Sequence, residues 1–374
     1  MTKSNAKVLY LFDSLVDNGE AYTILGLQDC GYQAVVICEP NTPNVSVLKE
    51  AGVEVVELKV RSKLDVHVIK CIKNLKKKHN FDLIYAYRKR ALSNYILASI
   101  GDESIPILAY RGIIGNLSYW DPFSWLTFLN PAIKNTVCVC KAIQDYYLNK
   151  KFLLFFNLFN EENTCTIYKG HDLEWYSYNS DSINKPLLTH AGVPAGSKVI
   201  GCVSRLKSRK GIKELIQAMP LIPESLNAHL VFIGKPYDQS FQEAYEDSPC
   251  KERIHFLGFQ TQAPQMAGEF DIITLASLRR EGLPRAIIEG MAQQVPAVVT
   301  DSGGSPELIQ EGITGLIVPP ANSRALANAF TELLEDDKKR QEMGRAAQIH
   351  IKNNFNIKQT IKNYCQLFDD VLGQ

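Results

Sequence analysis

The sequence predicts an α/β protein built from two Rossmann-like domains, each a doubly wound, mostly parallel sheet. Short β-branched runs alternate with amphipathic helical runs, the pattern of repeated βα units. The alternation pauses between about Leu173 and Lys198, where Ser, Asn, Asp, Gly and two prolines make a linker-like composition. A chain of 374 residues is also long for one core and comfortable for two.

In chain order, strands are expected at Val8-Leu-Tyr-Leu-Phe12, Val35-Val-Ile37, Val53-Glu-Val-Val56, Leu83-Ile-Tyr85, Ile105-Pro-Ile-Leu108 and Thr136-Val-Cys-Val139. A helix from about Leu64 to Lys78 puts Val68, Ile69, Ile72 and Leu75 on one face, and another runs from Ala91 to Ile100. After the pause the series restarts. Strands are expected at Val199-Ile200, Leu230–Ile233, Ile254–Leu257, Ile272–Thr274, Ala297–Thr300 and Leu316–Val318, with a helix from Gly211 to Met219. Open α/β sheets bind ligands beyond the carboxyl ends of their strands. Two such sheets facing each other are expected to form a cleft, and the chemistry is expected there.

Composition excludes several classes. The formal net charge of +1 gives no global field toward nucleic acid. The nine cysteines are scattered, mostly in apolar runs such as Ile200-Gly201-Cys202, as expected of reduced thiols in a cytoplasmic protein. Cys138-Val-Cys140 has no second pair at ligand spacing and is assigned to the core rather than to a metal. The N-terminus shows no signal-peptide apolar region. No apolar run reaches the roughly 18 residues of a membrane span.

Glu281-Gly-Leu-Pro-Arg-Ala-Ile-Ile-Glu289 is the most informative segment. Pro284 suits the first turn of a helix, placing Glu281 just before it and Glu289 inside it. A carboxylate among Ile288, Gly290 and Met291 is costly without a hydrogen-bond partner, and a ribose diol offers two donors. Glu281 and the amides of Gly282 and Leu283 suit sugar hydroxyls and a diphosphate at a helix start. The plainer alternative is an acidic helix start and one solvent-facing glutamate. Gly303-Gly-Ser-Pro-Glu307 reads as a second helix start, with Ser305 as cap and Pro306 in the first turn. Arg205 and Lys210, in the loop after the first strand of the second domain, supply fixed cations for a departing diphosphate. No Asp-X-Asp occurs, so no metal is expected there. A solvated basic loop is the alternative.

Together these residues resemble the retaining GT-B glycosyltransferases, specifically family 4 of that class. The match is carried by Arg205 and Lys210, by the Glu-X7-Glu pair Glu281 and Glu289, and by Gly303-Gly304-Ser305-Pro306-Glu307. The resemblance spans about the whole chain and is specific in the second domain. It implies that Arg205 and Lys210 hold the donor diphosphate, that Glu281 faces the transferred sugar and that Glu289 faces the ribose. It also implies that Phe256-Leu-Gly258-Phe259-Gln260 binds the base mainly through backbone. Domains are accordingly expected at 1–173 (acceptor), 174–197 (linker) and 198–353 (nucleotide-sugar donor). Residues 354–374 are expected to form a helix that crosses back to the first domain. The implied reaction is metal-independent sugar transfer with retention, from a nucleoside-diphosphate sugar to a glycan or lipid-linked saccharide of the cell envelope. No cofactor beyond the donor is expected, and catalysis falls to Arg205, Lys210 and Glu281.

The first domain departs from the family pattern. Its glycine-rich loop reads Asp17-Asn18-Gly19-Glu20, with Asn18 expected to keep a left-handed turn and Gly19 to approach the donor. Arg111 stands where many members carry a His. It stays protonated and is read as a contact to the donor sugar, a phosphate or an acidic acceptor group. Ile167-Tyr-Lys-Gly170-His171-Asp172 resembles the family's interdomain turn, with Lys169 in the Asn place. His171 either points into the cleft or caps that turn. Lys70, Lys73, Lys76, Lys77 and Lys78 lie opposite an apolar helix stripe, and Lys150-Lys151 precedes Phe152-Leu-Leu-Phe-Phe156. These patches suit peripheral docking on the anionic inner face of the cell membrane; a solvated helix face and a core segment are the alternative. Tyr119-Trp-Asp-Pro-Phe-Ser-Trp125 either lines an acceptor or packs as core. The rival functions are a sugar-nucleotide epimerase or phosphorylase on the same fold and a catalytically silent nucleotide-sugar-binding partner.

Overall fold

The structure, a computed structural model, describes residues 5–14, 16–152, 156–176 and 185–373. The chain divides into two compact units, residues 1–171 with 355–374, and residues 172–354.

In the first unit, strands β1 (Lys7–Leu11), β2 (Gln33–Cys38), β3 (Glu54–Glu57), β4 (Leu83–Ala86), β5 (Ile107–Arg111) and β6 (Ile133–Cys138) alternate with helices. The helices are α1 (Asn18–Asp29), α2 (Val45–Glu50), α3 (Val66–Lys78), α4 (Lys89–Ala98), α5 (Pro122–Trp125) and α6 (Lys141–Leu148). A short antiparallel pair, β7 (Lys151–Phe152) and β8 (Phe156–Asn157), precedes β9 (Thr164–Thr166). The sheet is parallel in the order β3-β2-β1-β4-β5-β6-β9. Its inner strands β1, β2, β4 and β5 are largely buried, as expected of a parallel sheet covered by helices, whereas the edge strand β3 is half-buried to exposed. The patch expected at Phe152–Phe156 lies partly outside the described residues.

Helix α3 starts at Val66 rather than Leu64 because the Asp65 carboxylate accepts from the amides of His67 and Val68. The loop after β1 corrects an expectation. Asn18 does not take a left-handed turn but opens α1, because Asp17 and Glu20 form a reciprocal capping box.

In the second unit β10 (Lys198–Val203), β11 (Ala228–Ile233), β12 (Ile254–Phe256), β13 (Ile272–Leu275), β14 (Ala297–Thr300) and β15 (Gly315–Val318) form a second parallel sheet. Their order is β12-β11-β10-β13-β14-β15. Helices α7 (Pro186–His190), α8 (Ile212–Ala218), α9 (Gln242–Glu246), α10 (Ala263–Ala267), α11 (Arg285–Met291), α12 (Ser323–Glu335) and α13 (Asp337–Asn354) complete it. Residues 185–197, expected as bare linker, fold with this unit. The Glu269 carboxylate accepts from the amides of Leu187 and Leu188 at 3.1 and 2.9 Å, and Lys185 pairs with Asp271. A proline at the first helical position and a carboxylate at its amides are enough to start α7 there.

Helix α14 (Ile357–Leu372) belongs to the first unit. It lies on α1, where a Cβ on Gly26 would stand 2.2 Å from Ile361. Tyr364 and Tyr85 share a buried hydroxyl contact of 2.7 Å, and Phe368 fills the core beneath them.

Candidate active site

Because the second sheet is parallel, the loops after β10, β11, β12, β13 and β14 leave one edge. Glycines let them approach closely. Gly211, at φ +69°, ends the basic loop after β10, and a Cβ there would lie 1.9 Å from the Ala276 carbonyl oxygen. Gly303, at φ +61°, presses the loop after β14 onto Glu281, whose carbonyl oxygen would meet a Cβ at 2.1 Å. No side chain fits at either place. Hydrogen bonds tie the same loops: the Leu278 amide donates to the Arg209 carbonyl at 2.9 Å, and the Thr300 hydroxyl to the Ser277 carbonyl at 2.6 Å.

This stitching brings Lys210 to Glu281. The Lys210 ammonium stands 2.6 Å from Glu281 Oε2, with side chains 13% and 10% exposed. The buried Ser277 hydroxyl donates to the same oxygen at 2.6 Å. The sequence motifs assign Lys210 to a diphosphate and Glu281 to a sugar without pairing them, and they miss Ser277. A serine in a loop four residues before a glutamate carries no signal until the turn is built. Arg205 stays exposed after β10 and pairs with no carboxylate among the described residues. Arg279 and Arg280 are exposed in the loop after β13, with Arg280 left-handed at φ +60°. The loop edge is therefore cationic around one buried carboxylate.

Glu289 is buried inside α11, as its neighbours require, but its burial is already offset. Arg285 Nε lies 3.0 Å from Glu289 Oε1, one turn away on the same helix. Pro284 sits just ahead of α11, with Gly282 buried and Leu283 half-buried before it. The second expected helix start is corrected. Pro306–Leu308 make a single 3-10 turn, because Ile309 returns to extended backbone. Ser305 caps nothing, and its buried hydroxyl has no partner among the described residues. Gly258 adopts φ +66° in an open turn, its carbonyl accepting from the Gly234 amide at 2.7 Å. Gln260 folds back onto the Leu257 carbonyl at 2.6 Å, leaving Phe259 largely exposed beside Lys235.

The expected first-unit contacts land differently. Gly19 is buried under Lys169, whose ammonium meets Asp17 at 2.5 Å and Glu20 at 2.9 Å. Burial alone would depress the Lys169 ammonium, but the charges of Glu20 and Asp17 prevail and raise it. Gly19 therefore supports a closed ionic cluster instead of presenting open backbone. Arg111 is 5% exposed, stacked over Phe128 and Tyr147 and donating to the Gly115 carbonyl. His171 is buried, and its backbone pairs with the returning chain at Phe355 and Ile357. Tyr119 is buried and Trp125 donates to its carbonyl, so that aromatic cluster is partly core, whereas Trp120 is 81% exposed. Cys138 and Cys140 are buried, and burial pushes the Cys138 thiol up.

A family model described as glycosyl transferases group 1 matches residues 189–350. The second unit is a group 1 glycosyltransferase domain. The fold of the whole chain is GT-B: a crystal structure of HepE from Anabaena in complex with UDP and glucose matches with a TM-score of 0.78. That match has 23% identity and covers 98% of this chain and 100% of that one. Curated relatives match over shorter stretches. N-acetyl-α-D-glucosaminyl L-malate synthase of Bacillus anthracis is 26% identical over 182 residues, 48% of each chain. A GDP-mannose-dependent monoacylated α-(1-6)-phosphatidylinositol monomannoside mannosyltransferase of Corynebacterium glutamicum is 33% identical over 165 residues, 41% of this chain and 42% of that one. The matched stretches span about half the length of these relatives. Among the described residues, no helix is long and apolar enough to cross a membrane.

Proposed function

We propose that the chain is a retaining, metal-independent glycosyltransferase that moves a sugar from a nucleoside-diphosphate sugar to a glycan or lipid-linked saccharide of the cell envelope. The observation that carries this reading is the Lys210–Glu281 pair set in a cationic loop edge. Breaking the sugar–phosphate bond leaves charge on the departing diphosphate, and the positions of Arg205 and Lys210 suit its neutralisation. Glu281 holds the Lys210 ammonium and accepts from hydroxyls of the transferred sugar. Glu289, on the neighbouring helix, accepts from the ribose beside Arg285. The acceptor hydroxyl attacks the anomeric carbon from the face the diphosphate leaves, and the departing phosphate oxygen takes its proton. The protein contributes positioning and fixed charge rather than a nucleophile. The chain works in the cytoplasm, with peripheral contact at the inner membrane face through the exposed Lys70, Lys73 and Lys77 of α3. Lys76 and Lys78 pair with Asp102 and Glu54.

Thermal-shift screening against nucleoside diphosphates and their sugars tests the donor half. A true donor at a hundredfold its Kd adds about 2.7 kcal/mol to stability; silence across the panel would sink the reading. Lys210→Ala is expected to lower turnover about 10²- to 10³-fold, and an unchanged rate would remove Lys210 from the mechanism. Activity is expected to persist in excess chelator, and its loss would refute metal independence.

A further inference from the structure

Helices α1 and α14 lie side by side, and two contacts fix their register. A Cβ on Gly26 would stand 2.2 Å from the Ile361 side chain, so the two backbones come close there. Just past the end of α1, the Tyr32 hydroxyl donates to the Asp369 carboxylate and lies 3.5 Å from the Cys365 carbonyl oxygen. The Tyr32 ring meets Phe368 edge-on at 5.2 Å. Contacts therefore climb both helices in the same direction. One turn past Gly26 comes Cys30, and one turn past Ile361, on the same face of α14, comes Cys365. The two thiols face each other across this seam, close enough to hydrogen-bond. Both are free; Cys30 is exposed and Cys365 half-buried. Gly31, left-handed at φ +104°, ends α1 and turns the chain toward Tyr32. Cys138 and Cys165 also lie on neighbouring strands, β6 and β9, but Cys138 is wholly buried and the Cys165 thiol donates to the Asn135 side-chain oxygen at 3.1 Å.

We propose that Cys30 and Cys365 form a reversible disulfide that locks α14 onto α1 when small-molecule disulfides accumulate. Cys30, being exposed, meets the oxidant first. Its thiolate attacks one sulfur of the small disulfide, breaking that S–S bond and releasing one thiolate. Cys365 then gives up its proton and attacks the Cys30 sulfur, forming the protein disulfide and expelling the second thiolate. The two thiolates released take up the two protons that the cysteines lost. Two protein thiols are thus oxidised by two electrons, and one small disulfide is reduced to two thiols. Burial, with Cys30 adding to it, pushes the Cys365 thiol up to about 12, which keeps it protonated until Cys30 has been oxidised. The bond would join the last helix to the first, closing a loop through nearly the whole sequence. Such a link restricts the unfolded chain strongly and opposes local opening of α14. The device stands apart from the transfer reaction and needs no donor or acceptor.

The full chain, equilibrated in glutathione buffers of rising disulfide-to-thiol ratio, alkylated and mapped by peptide mass spectrometry, tests the pair. A peptide linked through Cys30 and Cys365 is expected before any other protein disulfide, and dithiothreitol should remove it. Cys365→Ala should instead trap glutathione on Cys30. No link in the folded chain, a different pair forming first, or a Cys365→Ala chain whose Cys30 stays unmodified overturns the proposal. Hydrogen exchange then reads the lock. Amides of α14 should exchange at least about tenfold more slowly in the oxidised chain than in the reduced one, while those of α12 and α13 in the second unit exchange alike in both. Cys30→Ser, an exposed change that leaves the fold intact, should show no slowing in the same oxidising buffer. Equal exchange in α14 before and after oxidation, or slowing that survives Cys30→Ser, would remove the lock.

Discussion

Lys210 and Glu281 lie 71 positions apart and meet at 2.6 Å in a place almost closed to water. Removing one partner of such a pair leaves a buried charge unanswered. Lys210→Met is expected to destabilise the second unit by about 3 to 5 kcal/mol, measured by urea unfolding. Adding Glu281→Gln should restore a large part of that loss without restoring turnover; additive losses would show that the two groups do not depend on each other. The sequence names both residues because each belongs to a spaced motif. Their pairing is not legible there, since it depends on which loops neighbour each other along the sheet edge. Arg111 shows the converse. Its place after β5 suggests a ligand contact, but Phe128 and Tyr147 cover it, and both come from elements that local pattern does not bring to β5.

At the scale of elements, tight loops and strand pairs make separate demands. Gly211→Ala must push back the Ala276 carbonyl and is expected to cost about 2 to 4 kcal/mol. Gly52→Ala, also at positive φ but with nothing within 4 Å, should cost only about 1 kcal/mol. Equal losses at the two sites would show that backbone strain alone decides. On β11 and β12, His229 Nδ1 and His255 Nε2 stand 2.9 Å apart. Burial first, then His255, lowers the His229 pKa from 6.5 to about 4. An unfolded chain takes a proton as the pH falls through 6.5, whereas the folded chain resists until about 4. Stability present above pH 6.5 is therefore lost between those values, by up to about 3 kcal/mol from this residue. His229→Gln should flatten the decline of the urea midpoint across that range; an unchanged slope would place the titration elsewhere. The strands of the two sheets other than β9 are legible to within a few residues because β-branched runs bounded by turn residues have little else to become; β9 (Thr164–Thr166) and the β7–β8 pair are too short to carry such a run. The turn after Ser305 is not: Ser-Pro-Glu opens a helix or a single 3-10 turn equally well, and the extended backbone at Ile309 decides between them.

At the scale of the molecule, the two α/β halves are legible from alternation and its one pause, whereas the return of α14 comes from resemblance alone. No local pattern says which core a distant amphipathic helix will cover. In the structure α14 supplies Ile361 against Gly26, Tyr364 against Tyr85, and Thr360, which donates to the Tyr168 carbonyl at 2.8 Å. A chain cut after Asn354 should lose amide-exchange protection in β1, β2 and β4 while β10 to β15 keep theirs; full protection in both sheets would make α14 an ornament. The same connectivity sets an order of events during synthesis. The first unit leaves the ribosome first, yet one of its walls is encoded after residue 354. The second unit, a continuous stretch, can close while its elder neighbour still shows an apolar flank along α1 and β4. The half of the protein that is born first is therefore finished last, and for that interval it is the half that a chaperone or a protease would find open.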